Sequence, residues 1–446
     1  MQAHGFSLKG DVVVNELRAE IRQRVLAVHD AENIALPFVP GKSPVPVSGR
    51  TFDGTDVATL VEASLDFWLT AGPYAEKFEE KLSRYVGSRY AILCNSGSSA
   101  NLLAISALTS RSLGDRALVT GNEVITVAAG FPTTVNPIIQ NGLVPVFVDV
   151  DSATLNIRVD QLDDAVSSQT RALVIAHTLG NPFNIRAVSA FCKKYGLWLV
   201  EDNCDALGSQ YGGARTGTFG DLATVSFYPA HHITTGEGGA VLTSSPLLKR
   251  VVESFRDWGR HCWCAPGEAG TCGKRYEWQL GQLPVGYDHK YVYNELGYNL
   301  KMTDLQAAVG LSQMGKIDQF VRRRIETWNY YRSELETFSD HLQLPAAEID
   351  ASPSWFGFSM GVRSTSYTRH DLVTFLDRRK IQSRFVFGGN MVRQPSMEGR
   401  HWRAVGELPN SDQVMNDYLW IGVYPGVTNS MREFVVETLA DFHRAL

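Results

Sequence analysis

Cysteine is scarce in this chain, long apolar runs are missing, and neither sign of charge dominates. Six cysteines among 446 residues are too few for a scaffold built on disulfides. A chain of this length buries on the order of 75% of its unfolded surface without such staples. The longest stretch free of charge, Val124 to Val148, contains Pro132, Pro137 and Pro145 together with Asn136, Gln140 and Asn141. That excludes a spanning helix and reads as strand, short helix, strand. Lys and Arg total 42 against 47 Asp and Glu, a formal net charge of −5. Nothing in that balance points to nucleic acid or to a membrane surface. Met1 to Asp11 has no apolar core and already carries Lys9 and Asp11, so no secretory signal is read and a cytoplasmic address is expected. No 20–50-residue repeat is evident.

What is present fits an ordinary globular chain: 44% hydrophobic and 20% charged residues, with a length suggesting two or three domains. Residues 12–30 read as an amphipathic helix, and 36–50, rich in Pro and Gly, as an extended arm or a plain linker. Thr55–Thr70 and Ala75–Tyr85 have helical apolar spacing. The runs at 123–127, 144–150, 171–177, 197–202 and 223–227 are β-branched and separated by helical or turn segments, which indicates a mostly parallel sheet covered on both faces. Residues 257–293 break this rhythm with Gly, Trp, Tyr and Cys, and a loop of that length is usually functional. Residues 303–338 read as one long helix. The boundaries expected are 1–50 for an N-terminal helix and arm, 51–312 for a large domain and 313–446 for a small C-terminal α/β domain.

Four features carry chemistry. The turn Ser96–Asn101 lies between a strand and a helix, where backbone N–H groups and hydroxyls can cradle a phosphate. An empty small-residue turn is an equal reading. Asp202 ends a buried strand on the side where open α/β sheets bind ligands, although Glu201 and Asp202 at a strand end also read as solvated. The segment Ser226–Thr243 carries a hydroxyl at Ser226 and two histidines, His231 and His232, each of which reads as base, ligand or inert. Finally, Cys204, Cys262, Cys264 and Cys272 are separated by 57, 1 and 7 residues. Four thiolates suit zinc or an iron–sulfur cluster; C-x-C is not zinc-ribbon spacing, and free thiols stay open. Cys94 and Cys192 read as core.

The order GSS…ED…SFYPAHHITTGEGG…GYN resembles the sugar-nucleotide (DegT-like) aminotransferases of the fold-type-I pyridoxal-phosphate superfamily. So do WLTAGP at 68–73, FVDVD at 147–151, HTLGNP at 177–182 and GYNLKMTDLQAAVGL at 297–311. The resemblance implies an aspartate-aminotransferase-like α/β fold. It also implies that Asp202 pairs with the protonated pyridine nitrogen, keeping the ring able to accept electrons. Ser226 and Gly97, Ser98 and Ser99 would hold the cofactor phosphate, and Phe131 would stack on the ring. Asn299 would reach the neighbouring subunit's phosphate, which implies a homodimer.

The departure from the pattern is informative. Where ordinary members carry the Schiff-base lysine this chain has His231, and no lysine occurs between Lys194 and Lys249. An imidazole cannot form that bond, so the cofactor is expected non-covalently, as pyridoxamine 5′-phosphate (PMP), with His231 still able to move a proton. His-for-Lys resembles the sugar 3-dehydratases. One branch resembles GDP-4-keto-6-deoxymannose 3-dehydratase, without a cluster and with glutamate regenerating PMP. The other resembles CDP-4-keto-6-deoxyglucose 3-dehydratase, with a [2Fe–2S] cluster on cysteines spaced like Cys204, Cys262, Cys264 and Cys272. The second branch implies removal of the C3 hydroxyl from a nucleotide-diphosphate 4-keto-6-deoxy sugar, CDP-linked first and dTDP-linked second. Electrons would come singly through the cluster from a flavin or iron–sulfur reductase, a ferredoxin or a flavodoxin. A different-class alternative is a non-catalytic protein of this fold stapled by zinc. His232 reads as packing, PSWFGF (353–358) and GGNMVRQP (388–395) as facing substrate, and Arg393 as a phosphate contact or a surface cation.

Overall fold

The five β-branched runs all form strands, because residues buried on both faces need no polar alternation. The computed structural model describes residues 8–34 and 36–445; residues 1–7 of the expected N-terminal unit lie outside the described residues. Eight strands form the main sheet, in the order Tyr90–Cys94, Gly239–Thr243, Leu222–Ser226, Trp198–Asp202, Thr170–Ala176, Glu123–Val127, Val144–Val148, Arg403–Ala404. Gly239–Thr243 runs antiparallel to both of its neighbours, and the other pairings are parallel. Alternate residues feed opposite cores. Val124, Ala172, Val174 and Val200 pack with the Gly97–Leu108 and Pro246–Arg256 helices, while Ile125, Leu173, Ile175 and Leu199 pack with Phe183, Ile185, Val188 and Phe191.

A second sheet of four antiparallel strands lies in the C-terminal part, in the order Leu342–Gln343, Gly357–Val362, Tyr418–Gly422, Ser383–Phe385. The arm at 36–50 is docked: Val45 and Val47 are buried, and Val45 bridges to Ile381 in parallel register. The N-terminal helix, Leu8–Glu32, is longer than the spacing suggested and leaves Val12, Val13, Val14 and Leu17 exposed. The predicted long helix at 303–338 is broken. It ends at Gln313, turns through Gly315, and resumes as Ile317–Glu334. The apolar period continues across the turn, which hides the break from a pattern reading. Residues 257–293 contain one short 3-10 turn, His289–Tyr291, and are otherwise irregular.

Candidate active site

The carboxyl ends of the parallel strands bring Asp202, Ser226 and the turn after Cys94 to one edge of the sheet, where open α/β sheets bind ligands. Asp202 is buried, and its Oδ2 accepts hydrogen bonds from Asn101 Nδ2 at 2.8 Å and Thr134 Oγ1 at 2.7 Å. Its Oδ1 accepts the Cys204 amide at 3.2 Å. Thr224 Oγ1 donates to Asn101 Oδ1 at 2.6 Å, which turns the Asn101 amide group toward the carboxylate. Three donors thus converge on this carboxylate and fix its orientation.

The Gly97–Leu108 helix opens beside this carboxylate. Ser96 caps it, its Oγ accepting the Ser99 amide at 3.0 Å. A Cβ on Gly97 would lie 2.4 Å from Ser226 Cβ and 3.1 Å from Cys204 Sγ. The bare backbone is therefore required here, and it places the helix start, the Ser226 hydroxyl and the Cys204 thiol side by side. Ser98 is exposed, with its Oγ 3.3 Å from Thr133 Oγ1. A helix N-terminus flanked by hydroxyls suits a phosphate, and a fixed buried anion suits a pyridinium nitrogen, so these residues fit PMP.

His231 lies on the turn that follows Ser226. Its Nδ1 is buried without a hydrogen-bond partner, 3.6 Å from Asp205 Oδ1, and its ring lies 5.1 Å from that of Phe356. Burial, reinforced by the Arg324 cation, holds the imidazole down to about 4. Burial and the Asp202 charge push the Asp205 carboxyl up to about 8. At neutral pH the two therefore face each other as a neutral acid and a neutral base, not as an ion pair. His232 points elsewhere: its Nε2 is 2.8 Å from Ser354 Oγ, and it is buried as packing.

Glu201 is not a solvated strand end. It is fully buried and accepts from His177 Nε2 at 3.0 Å and from the amides of Gly217, Phe219 and Gly220 at 2.7 to 2.9 Å. Burial alone would raise its carboxyl, but the His177 bond and the amides outweigh it and hold it below its ordinary value. His177 stacks on Phe183 at 4.3 Å, and its Nδ1 accepts the Phe183 amide. Alternate residues of one strand thus do different work, Glu201 fixing the loop behind the sheet and Asp202 facing the pocket.

Phe131 starts the Pro132–Gln140 helix, is half exposed, and meets Phe387 edge-on at 5.8 Å. Asn299 is exposed and pairs in a bridge with Asp257. Arg393 is held in a two-point bond to Asp412. Sequence reasoning missed Thr134, Thr224, Asp205 and Arg324, whose positions become informative only once the strands are side by side.

Cys262, Cys264 and Cys272 are neighbours of one another, but Cys204 is not brought together with them. Cys204 lies against Gly97 and Ser226 in the pocket just described. Burial and the charges of Asp202 and Asp205 push its thiol well above the ordinary range. Cys262 and Cys264 line a different cavity of about 610 Å³, with Trp68, Glu79, Arg250 and Arg256. Cys272 Sγ lies 3.5 Å from His289 Nδ1, and His289 Nε2 lies 2.6 Å from His261 Nδ1. Among the described residues no group of three or more His, Cys, Asp or Glu side chains is placed to hold a metal ion. As arranged, the residues do not fit a four-thiolate cluster, which needs deprotonated sulfurs converging on one point. Among the described residues no helix is long and apolar enough to cross a membrane.

The family model of the DegT/DnrJ/EryC1/StrS aminotransferases matches residues 52–440. Lipopolysaccharide biosynthesis protein RfbH of Salmonella typhimurium is 52% identical over 432 residues, which cover 97% of this chain and 99% of that protein. The dTDP-4-dehydro-2,6-dideoxy-D-glucose 3-dehydratase of Saccharopolyspora spinosa is 51% identical over 431 residues, covering 96% and 93%. The solved E. coli GDP-4-keto-6-deoxy-D-mannose-3-dehydratase with bound hydrated PLP aligns with a TM-score of 0.80 at 26% identity, over 89% of this chain and 99% of that one. The architecture is that of the fold-type-I PLP-dependent enzymes, and the chain belongs to the DegT/DnrJ/EryC1/StrS aminotransferase family.

Proposed function

We propose that this protein is a PMP-dependent 3-dehydratase of nucleotide-diphosphate-linked 4-keto-6-deoxyhexoses, acting in deoxysugar biosynthesis. The observation that carries the reading is the half-buried imidazole of His231, its Nδ1 unpartnered and 3.6 Å from Asp205 Oδ1, in a stretch with no lysine from 195 to 248. When bound, PMP supplies an amine for the C4 ketone and a ring that accepts electrons. Asp202, oriented by its bonds from Asn101 and Thr134, would pair with the protonated ring nitrogen. Ser226 and the amides of Gly97, Ser98 and Ser99 bind the phosphate. His231, neutral at working pH, takes the proton from cofactor C4′. Phe356, buried and 5.1 Å from the imidazole, covers one side of the His231 ring.

CDP is the nucleotide proposed first; the dTDP-sugar in the name of the Saccharopolyspora relative supports the dTDP alternative. Incubation of the PMP-loaded protein with each nucleotide sugar and a reductant, followed by mass spectrometry, tests the function. Product lacking the C3 oxygen is expected. Amino-sugar product, or unchanged substrate with both nucleotides, contradicts it.

The cysteine spacing of 57, 1 and 7 residues supports a finer proposal, a [2Fe–2S] cluster on Cys204, Cys262, Cys264 and Cys272, fed by a partner reductase, in a homodimer. Assembling that set from the arrangement described requires the insertion at 257–293 to rearrange toward Cys204. The separation of Cys204 from the other three cysteines and the likeness to the GDP-sugar dehydratase support a second reading, cluster-free 3-dehydration with glutamate as amine donor. Iron content and an EPR spectrum of anaerobically purified protein separate the two.

A further inference from the structure

Arg324 is among the largest fully buried side chains of the protein, and it has no carboxylate within 4.0 Å among the described residues. A buried cation without a counter-ion is costly unless its N–H groups are satisfied. Here backbone carbonyls satisfy the two Nη groups in two pairs, while Nε is buried without a partner. Nη2 donates to His231 O at 3.0 Å and Ala230 O at 3.3 Å, and Nη1 donates to Trp355 O and Phe356 O, both at 3.3 Å. One guanidinium therefore ties the turn carrying His231 to the segment that packs on its ring.

That second segment is itself fixed. Trp355 stacks on Trp328, one helical turn after Arg324, with centroids 4.0 Å apart and planes 3° from parallel. The Phe356 amide donates to Leu179 O at 2.8 Å. A Cβ at Gly180 would meet the Trp355 backbone at 2.8 Å. Ser354 holds the next residue of the turn, His232, at 2.8 Å. The planar fork thus transmits the position of a rigid aromatic wall to the backbone of the residue that moves the proton.

We propose that Arg324 is a positioning residue for His231: its two-sided hold on the His231 and Phe356 carbonyls fixes the imidazole where cofactor C4′ is presented. The proposal rests on the reading of His231 as the proton-transfer group. Lysine keeps the charge but has a single nitrogen and cannot bond both carbonyl pairs in the same fork geometry. Misplacement by about 1 Å costs on the order of 10²-fold in such transfers.

The test compares full-length wild type, R324K and R324M, each loaded with PMP and supplied with CDP- or dTDP-linked 4-keto-6-deoxyglucose, because C4′ becomes acidic only once the amine has condensed with the ketone. Two quantities are read: PMP affinity by absorbance titration, and solvent deuterium exchange at C4′ by mass spectrometry. The expected order of exchange is wild type, then R324K about tenfold slower, then R324M about 100-fold slower, with PMP affinity unchanged within about threefold. Should R324M fail to fold, the comparison of wild type with R324K decides. Equal exchange in those two, or a parallel loss of PMP binding and exchange, overturns the proposal. Absence of exchange in the wild type itself, with PMP bound and each keto sugar supplied, overturns the reading of His231 and with it this role for Arg324.

Discussion

Replacing Gly97 by alanine tests whether the helix start is a phosphate cradle or merely a tight turn. The new methyl would sit 2.4 Å from Ser226 Cβ, 2.8 Å from Ser226 Oγ and 3.1 Å from Cys204 Sγ. Carbon atoms pack at about 3.5–4.0 Å, so more than an ångström of separation must be found. Rotating a side chain does not provide it, because Ser226 Cβ is fixed to a buried strand end. The helix start must move away from the strand instead. Overpacking of this kind costs about 1–3 kcal/mol. The displaced groups, the Gly97–Ser99 amides and the Ser226 hydroxyl, are those assigned to the phosphate. G97A is therefore expected to weaken PMP binding by about tenfold or more, equivalent to at least ~1.4 kcal/mol. Ser98→Ala, on an exposed side chain, is expected to change affinity by less than about threefold, in line with ordinary surface substitutions. Absorbance titration of cofactor-free protein measures both. G97A with wild-type affinity for PMP would refute the cradle.

Other predictions follow the same logic. Glu201→Gln removes an acceptor from four donors and turns an amide group against backbone N–H groups, so urea unfolding should show a loss of about 2–5 kcal/mol, and a change below about 0.5 kcal/mol would show that the network is not needed. His231 is held at about 4 in the fold, below its unfolded value. The stability it contributes is therefore full above the unfolded value near 6.5 and is lost as pH falls through about 4, roughly 3 kcal/mol in cofactor-free protein. His231→Leu should remove that part of the acid sensitivity, and an unchanged pH–stability slope would argue that His231 is solvated. Cys204→Ala should lower bound iron if the four-cysteine cluster forms; unchanged iron would remove Cys204 from the ligand set.

The strands of the main sheet were legible because continuous β-branched runs bounded by turn residues have few other uses. The break at Gly315 was not, since Met314 and Ile317 are buried on either side of it and keep the apolar period intact. Glu201 and Asp202 looked alike in sequence, and only the sheet separates the one that closes a loop from the one that faces the pocket. Arg324 stands third in an Arg-Arg-Arg run whose first two members are exposed, and helical phase alone does not announce a buried guanidinium. The cysteine spacing was plain, but spacing does not fix where an irregular insertion folds. The missing lysine was legible without any structure, because a covalent bond requires an amine and none is encoded nearby.

The central claim is that His231 moves a proton at the cofactor without any covalent link between chain and cofactor. Deuterium exchange at PMP C4′ in the presence of the nucleotide-linked 4-keto sugar, in wild type and in His231→Asn, with borohydride-treated protein weighed intact in parallel, tests it most directly. The account predicts exchange in the wild type, a drop of about 10²–10⁴-fold in the variant with PMP still bound, and no added mass after borohydride. Exchange at the same rate in both proteins, or a cofactor-sized adduct on the polypeptide, would contradict it.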